Sequence, residues 1–228
     1  MSAQSNLKPI KVWGKGGPNP PKVAIILKEL GIPHEIEDIP FADVKSARYL
    51  AVNPNGRIPA IEDPNTDLTL WESGAILEYL IEKYDTENKL SFPAGSNESF
   101  LAKQWLYYQT TGQGPYYGQA VWFTKYHGEQ LPSAIERYVK EINRVVSVVE
   151  GHLAKQKEEH GGKDGFDGPW LVGNKLSYAD FAFYPWQKVA KHIFGGEGGG
   201  YQESEYPLVN EWVAKLAARE SVKSSFDW

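Results

Sequence analysis

Apolar residues along this 228-residue chain follow two different rhythms, and the change between them predicts two domains. In the first stretch, short apolar runs alternate with helical spacings. Ile10-Lys11-Val12-Trp13 reads as a strand, and Gly14-Lys15-Gly16-Gly17-Pro18 as the loop after it. Asn19 then occupies an N-cap position with Pro20 in the first helical place, and Val23, Ile26, Leu27 and Leu30 recur at helical intervals. Gly31 sits where a C-terminal glycine stops a helix, and Pro33 prevents its resumption. His34 to Ile39 alternates like a strand, and residues 43–51 carry a helical pattern. Ile58 to Glu62 and Leu68 to Trp71 read as two strands around the turn Asp63-Pro64-Asn65-Thr66-Asp67. Ser73 to Tyr84 is helical, with Ile76, Leu77, Leu80 and Ile81 on one face. The predicted order is β-α-β-α-β-β-α.

Asp85 to Asn97 is polar and turn-rich, as a linker would be, and beyond it only helical periods occur. Phe100 to Tyr108 is apolar and aromatic until Gly112-Gln113-Gly114-Pro115 interrupts it. A long helix is predicted over about 132–158, with Ile135, Tyr138, Val139, Ile142, Val145, Val146, Val149 and Leu153 tracing one stripe. Ser177-Tyr178-Ala179-Asp180 forms a capping box ahead of Phe181-Ala182-Phe183. Gly195 to Gly200 is a loop, and a last helix covers roughly 208–219. The fold class expected is therefore α/β plus all-α: a mixed domain over residues 1–86 and an all-helical domain over 98–228.

Composition narrows the chemistry. A net charge of −5 with scattered basic residues argues against a nucleic-acid surface. No apolar run approaches the roughly 20 residues of a membrane span, and the first residues lack the apolar core of a signal peptide, so a cytoplasmic protein is expected. Cysteine is absent, which excludes disulfides, zinc-thiolate sites and a cysteine nucleophile. Any thiol chemistry must use a thiol brought by the substrate. The five histidines show no metal-ligand spacing, and no metal is expected. Gly195 to Gly200 lacks the Lys-Ser/Thr ending of a phosphate loop.

The densest information lies in Val52-Asn53-Pro54-Asn55-Gly56-Arg57-Ile58-Pro59-Ala60-Ile61-Glu62-Asp63 and in Trp71-Glu72-Ser73-Gly74. A Pro-punctuated turn leads into a short apolar strand, and a Glu-Ser pair opens a helix. This layout presents strand-edge backbone groups beside a helix N-terminus, two acceptors for a small zwitterionic peptide. Taken alone, Glu72-Ser73 reads first as a surface carboxylate and a plain helix cap, and Arg57 as a solvated turn charge; the preceding strand pair shifts the reading toward a binding site.

These two elements resemble the glutathione-binding half of the soluble glutathione transferases, and the resemblance extends over nearly the whole chain. It implies a thioredoxin-like first domain without the redox cysteine pair. Gly17-Pro18-Asn19-Pro20-Pro21-Lys22-Val23 resembles the Pro-Asn-Gly-x-Lys element of the nitrogen-regulator-like (Ure2p-like) branch. Trp71 to Leu77, Gly114-Pro115-Tyr116-Tyr117-Gly118-Gln119, Ala134 to Tyr138 and Trp170-Leu171-Val172-Gly173 are similar to that branch as well. The resemblance implies a cis Ile58-Pro59 bond, with the Ile58 backbone turned toward the cysteinyl residue of glutathione. It implies Arg57 at the glycyl carboxylate or the tripeptide backbone, Glu72 at the γ-glutamyl ammonium and Ser73 at the γ-glutamyl carboxylate. It also implies a homodimer.

Thiol activation is the remaining question. A free thiol has a pKa near 8.5, and lowering it by about two units requires roughly 2.7 kcal/mol. Many relatives use a Tyr, Ser or Cys near the first helix, but residues 7–45 contain no Ser, Thr, Tyr or Cys. Asn19 remains. Either its amide donates to the glutathione thiolate, as the resemblance implies, or it is an N-cap spent on Lys22, leaving Lys15 or the Gly-loop backbone to act. Gly17 stands where bacterial relatives carry a hydroxyl, and Pro20 and Pro21 remove two N–H groups from the first turn. Around the Gly-Pro break, Tyr116, Tyr117 and Trp122 are the candidates for an aromatic wall against a second substrate. The function expected is transfer of glutathione to a hydrophobic electrophile in detoxification, with peroxide or disulfide reduction as further outcomes. The alternative is a non-catalytic glutathione-binding regulator.

Overall fold

The computed structural model describes residues 6–226. The five residues before them, part of the stretch in which no signal-peptide core was expected, lie outside the described residues. The chain divides into two compact units, one formed by residues 6–90 with 218–226 and the other by 91–217. The last residues, expected with the helical domain, thus pack with the first unit.

The first unit is thioredoxin-like. Four strands, β1 (Ile10–Trp13), β2 (His34–Glu37), β3 (Ala60–Asp63) and β4 (Leu68–Trp71), form one mixed sheet in the order β2-β1-β3-β4. β1 runs parallel to β2 and antiparallel to β3, and β3 and β4 are antiparallel. Helices α1 (Pro20–Leu30), α2 (Ala47–Leu50) and α3 (Ser73–Tyr84) complete the expected order. α1 is buried nearly all round, and Gly31 ends it at φ 69°, its N–H returning to the Leu27 and Lys28 carbonyls.

Several boundaries differ from the sequence expectation, and β2 ends at Glu37 rather than Ile39. α2 is one turn rather than nine residues, because the Ser46 hydroxyl accepts from the Tyr49 N–H and starts the helix there. β3 begins at Ala60 instead of Ile58, since Pro59 has no N–H to give a ladder. The C-terminal helix splits into α8 (Pro207–Ala217) and α9 (Glu220–Lys223).

The second unit is helical, with α4 (Asn97–Tyr108), α5 (Gly114–Lys125), α6 (Pro132–His160) and α7 (Tyr178–Phe194) preceding α8. The Gly-Pro segment does not break the chain into separate helices. Residues Gln109–Gln113 form a π-helical turn that joins α4 to α5. The wider turn gives the Pro115 ring room that an α-helical turn would deny it. Gln109 and Gln113, both fully buried, hydrogen-bond each other at 3.0 Å, and Gln113 donates to the Phe183 carbonyl. The α6 stripe is buried from Val139 to Leu153. The capping box starts α7 as expected: the Asp180 carboxylate accepts from Ser177, Leu171 and the Trp212 indole. No described helix is long and apolar enough to cross a membrane.

Candidate functional site

Strand register assembles the site at one edge of the sheet. Trp13 pairs with Ala60, and Ala60 pairs with Trp71, so the three stand in one row across β1, β3 and β4. The residues just beyond that row therefore gather: Gly14 after β1, Ile58 and Pro59 before β3, and Glu72 and Ser73 after β4. Gly14 takes φ 96°, and a Cβ there would lie 2.6 Å from the Ile58 Cβ. Only glycine allows the loop to pass so close to Ile58. The Ile58-Pro59 bond is cis. Ile58 lies outside the β1–β3 ladder, which opens at Ala60.

The approach to β3 is fixed by backbone anchoring. The Arg57 carbonyl accepts from the Tyr49 hydroxyl at 2.7 Å and from the Asn53 amide at 2.6 Å. Asn53 is buried and its other side-chain atom accepts from the Asn55 N–H, closing an Asx turn. With its carbonyl held from both sides, Arg57 extends an exposed side chain.

Glu72 adopts φ 72°, a left-handed conformation that costs a non-glycine residue about 1–3 kcal/mol. It stands exposed immediately before α3, and its carboxylate accepts from the Asn55 amide at 3.5 Å. Ser73, buried, is the first residue of α3, whose opening N–H groups have no partner within the helix. A carboxylate at this helix end meets a hydroxyl, backbone donors and the positive end of the helix dipole together.

Beneath Ser73 lies a residue that the sequence reading named within the Asn19 segment but gave no role at the site. Lys22 is 1% exposed, and its Nζ donates to the Ser73 Oγ at 3.3 Å. Burial pulls its pKa down to about 7, against the opposing pull of the Glu72 carboxylate. The signal was present in the sequence: Lys22 opens an otherwise apolar helix, Pro20 to Leu27, and a helix apolar all round is buried.

Asn19 precedes α1 as expected but does not cap it. Its backbone is α-helical, at φ −86° and ψ −42°, and its side chain makes no capping bond to the helix. The Lys22 N–H is met by the Asn19 backbone carbonyl, at 3.2 Å. The expectation that the amide is spent on Lys22 is thus corrected: a helical backbone at Asn19 points the side chain away from the first-turn N–H groups. Phe41, 67% exposed, lies against Gly16 and Gly17 of the preceding loop. A small cavity of about 20 Å³ at the start of α1 is bordered by Gly14, Lys15, Pro20 and, from the end of the chain, Ser224 and Ser225.

In the second unit, α5 distributes its aromatic residues unequally. Trp122 is 50% exposed and lies near the Tyr126 ring, and Tyr116 is half-buried beside Tyr138. Tyr117 is fully buried, with its hydroxyl 3.0 Å from the Gln187 side chain and its ring edge-on to Trp186. The expectation that Tyr117 faces a second substrate is corrected accordingly; it is core, and burial drives its hydroxyl pKa well upward. Arg137 forms an exposed ion pair with Glu141 one helical turn away. Among the described residues no group of three His, Asp or Glu is placed to hold a metal.

Comparison with known proteins places this geometry in context. Residues 17–83 match the family described as "Glutathione S-transferase, N-terminal domain", and residues 115–220 match "Glutathione S-transferase, C-terminal domain". The chain is 59% identical to the glutathione S-transferase-like protein gedE of Aspergillus terreus, over 96% of this chain and 95% of that protein. It is 36% identical to the transcriptional regulator URE2 of Saccharomyces cerevisiae, over 91% of this chain and 64% of the regulator. Among solved structures, the glutathione transferase URE2P6 from Phanerochaete chrysosporium, in complex with oxidized glutathione, superposes with a TM-score of 0.84. That match is 44% identical and covers 96% of this chain and 94% of the other.

Proposed function

Starting from a chain that belongs to the glutathione S-transferase family, in its Ure2p-like branch, we propose that this protein is a glutathione-dependent transferase. The γ-glutamyl carboxylate sits on Ser73 and the first-turn N–H groups of α3, and the γ-glutamyl ammonium on Glu72. The Ile58 backbone pairs with the cysteinyl residue, and Arg57 meets the glycyl carboxylate. The Asn19 amide donates to the sulfur and stabilises it as thiolate. The observation that carries the reading is the single row of strand ends, which brings the Gly14 loop, Ile58-Pro59 and Glu72-Ser73 to one edge of the sheet.

In the transferase step the thiolate attacks an electrophilic carbon, a C–S bond forms, and the displaced electron pair leaves with the leaving group or rests on the acceptor. The accessible aromatic residues of α5, Tyr116 and Trp122, supply apolar surface for such an electrophile. With a disulfide as partner, the same thiolate attacks one sulfur and expels the other as thiolate. The protein is proposed to act in the cytoplasm as a homodimer, in the conjugation chemistry of detoxification.

A second reading, a glutathione-binding regulator without turnover, is favoured by one feature. Pro20 and Pro21 strip two N–H groups from the start of α1 and weaken it as an anion site. Calorimetric titration with glutathione, alongside ultraviolet titration of the bound thiolate, separates the two. The transferase reading expects binding with a thiol pKa well below 8.5 and loss of that shift in Asn19→Ala. Binding with an unshifted thiol pKa in both proteins favours the regulator, and absence of binding sinks both.

A further inference from the structure

A buried lysine at a carboxylate-binding helix end calls for a reason. Lys22 contacts Ser73, the first residue of α3, so a hydroxyl, first-turn N–H groups and an amine converge at that end. Three kinds of hydrogen-bond donor there exceed what one helix end needs. The nearby compensating charge is the Glu72 carboxylate, which stands exposed and is held in place by a left-handed backbone.

A zwitterionic amino-acid headgroup changes this balance in a definite way. Its ammonium engages Glu72 and neutralises the carboxylate that Lys22 otherwise feels. Its own carboxylate arrives at Ser73, next to the Lys22 amine. The anion that Lys22 feels is thereby exchanged for one seated on its own hydrogen-bond partner, Ser73, and the site is closed to water from the ligand side.

We infer that Lys22 is a proton-linked positioning residue: an amino-acid headgroup seated on Ser73 draws a proton from solvent onto the Lys22 amine, so that ligand binding and formation of the ammonium are one coupled event. The inference rests on the glutathione-binding reading and adds to it a charge that the ligand itself completes. The proton balance is simple. Free protein with neutral amine, ligand and one proton give a complex with ammonium, and no other group changes its charge.

The other ionisable groups around α1 are otherwise placed. On α1 itself, Lys28 and Glu29 stand at its far end, bonded to Ser224 and to Arg219. On α9, Glu220 and Lys223 flank the segment that meets Glu29. On α3, Glu78, Glu82 and Lys83 lie one turn or more beyond Ser73. Lys15 lies in the exposed loop before Asn19, and Arg57 extends into solvent. Glu72 is the carboxylate whose charge acts on Lys22.

The test uses S-methylglutathione, whose blocked thiol releases no proton. Binding is measured by calorimetry at pH 6 and pH 8, each in two buffers of different ionisation enthalpy, so that the proton count is read directly. The expected uptake is near zero at pH 6, where burial at about 7 already leaves the amine charged, and approaches one proton at pH 8. Affinity correspondingly weakens by up to about ten-fold per pH unit above 7. Lys22→Met, which keeps length and removes charge, abolishes the uptake and flattens the affinity profile. It also subtracts any contribution from the ligand's own ammonium. Binding of S-methylglutathione to the unaltered protein without proton uptake overturns the inference and leaves the transferase reading intact, and this needs no variant. Uptake that persists in Lys22→Met overturns it as well. Failure of S-methylglutathione to bind at all removes the glutathione reading and this inference with it.

Discussion

Lys22 has a consequence in the absence of any ligand. Its ordinary pKa of 10.5 in the unfolded chain falls to about 7 on burial. Between those values the unfolded chain binds more protons than the folded one, so folding stability rises with pH, with a slope of up to about 1.4 kcal/mol per pH unit. Below pH 7 both states carry the ammonium and the full burial cost is present. Lys22→Met should therefore stabilise the protein more at pH 6 than at pH 9. Urea midpoints of the two proteins at both pH values check this, and a difference that does not change with pH refutes it. Single residues were unevenly legible in the sequence. The turn that carries Arg57 and the start of α3 were legible because turn chemistry is local, but Ser73, expected as the cap, is the first helical residue, and Glu72 holds the cap position without a side-chain capping bond. Tyr117 was misplaced because period alone does not say which side of an aromatic helix faces its neighbours, and here Gln187 and Trp186 arrive from α7. Lys22 was given no role because its partner, Ser73, is 51 residues away.

Among the elements, α1 depends on one that comes from the far end of the chain. The Glu29 carboxylate, buried near the end of α1, receives two parallel bonds from the Arg219 guanidinium, each 2.8 Å, and one from the Ser221 hydroxyl at 2.5 Å. Burial alone would push the Glu29 pKa up; the bonds from Arg219 and Ser221 outweigh it and hold the carboxyl below its usual value. Lys89 Nζ adds a bond to the Glu29 carbonyl. Arg219→Ala leaves that carboxylate desolvated without its bidentate partner, and a loss of about 2–4 kcal/mol is expected, toward the low side because Arg219 is partly exposed. Chemical denaturation of Arg219→Ala beside Glu29→Gln/Arg219→Ala measures it; the double variant should recover part of the loss, and equal losses in both would refute the pairing argument. At this scale the sequence was most informative where periodicity runs long, as in α3 and α6. It was least informative at Gly112-Gln113-Gly114-Pro115. There the chain keeps turning through a π-helical segment, held by a buried glutamine pair that no local rule anticipates.

For the molecule as a whole, the absence of cysteine has a chemical corollary. No protein–glutathione mixed disulfide is available, so any disulfide reduction must take both sulfur atoms from glutathione. Treatment with iodoacetamide, followed by removal of the reagent, should leave the intact mass unchanged and glutathione-dependent turnover undiminished. A mass increase with loss of turnover would show another nucleophile at the site. The two-unit plan was legible because strand and helix rhythms differ so plainly on either side of residues 85–97. The assignment of residues 218–226 was not, because a short helix after Arg219 carries no mark of which unit it joins.

That assignment bears on how the protein is made. The first unit is discontinuous: its sheet and α1 to α3 are complete by residue 90, yet the Arg219 and Ser221 partners of Glu29 belong to the end of the chain. At ordinary translation rates the ribosome needs on the order of ten seconds to cover the helical unit between them. Throughout that interval the Glu29 carboxylate of α1 lacks the guanidinium and the hydroxyl that bind it in the finished fold. The first unit, although begun before the helical one, is thus finished after it, and its folding closes only when Arg219 and Ser221 have left the exit tunnel.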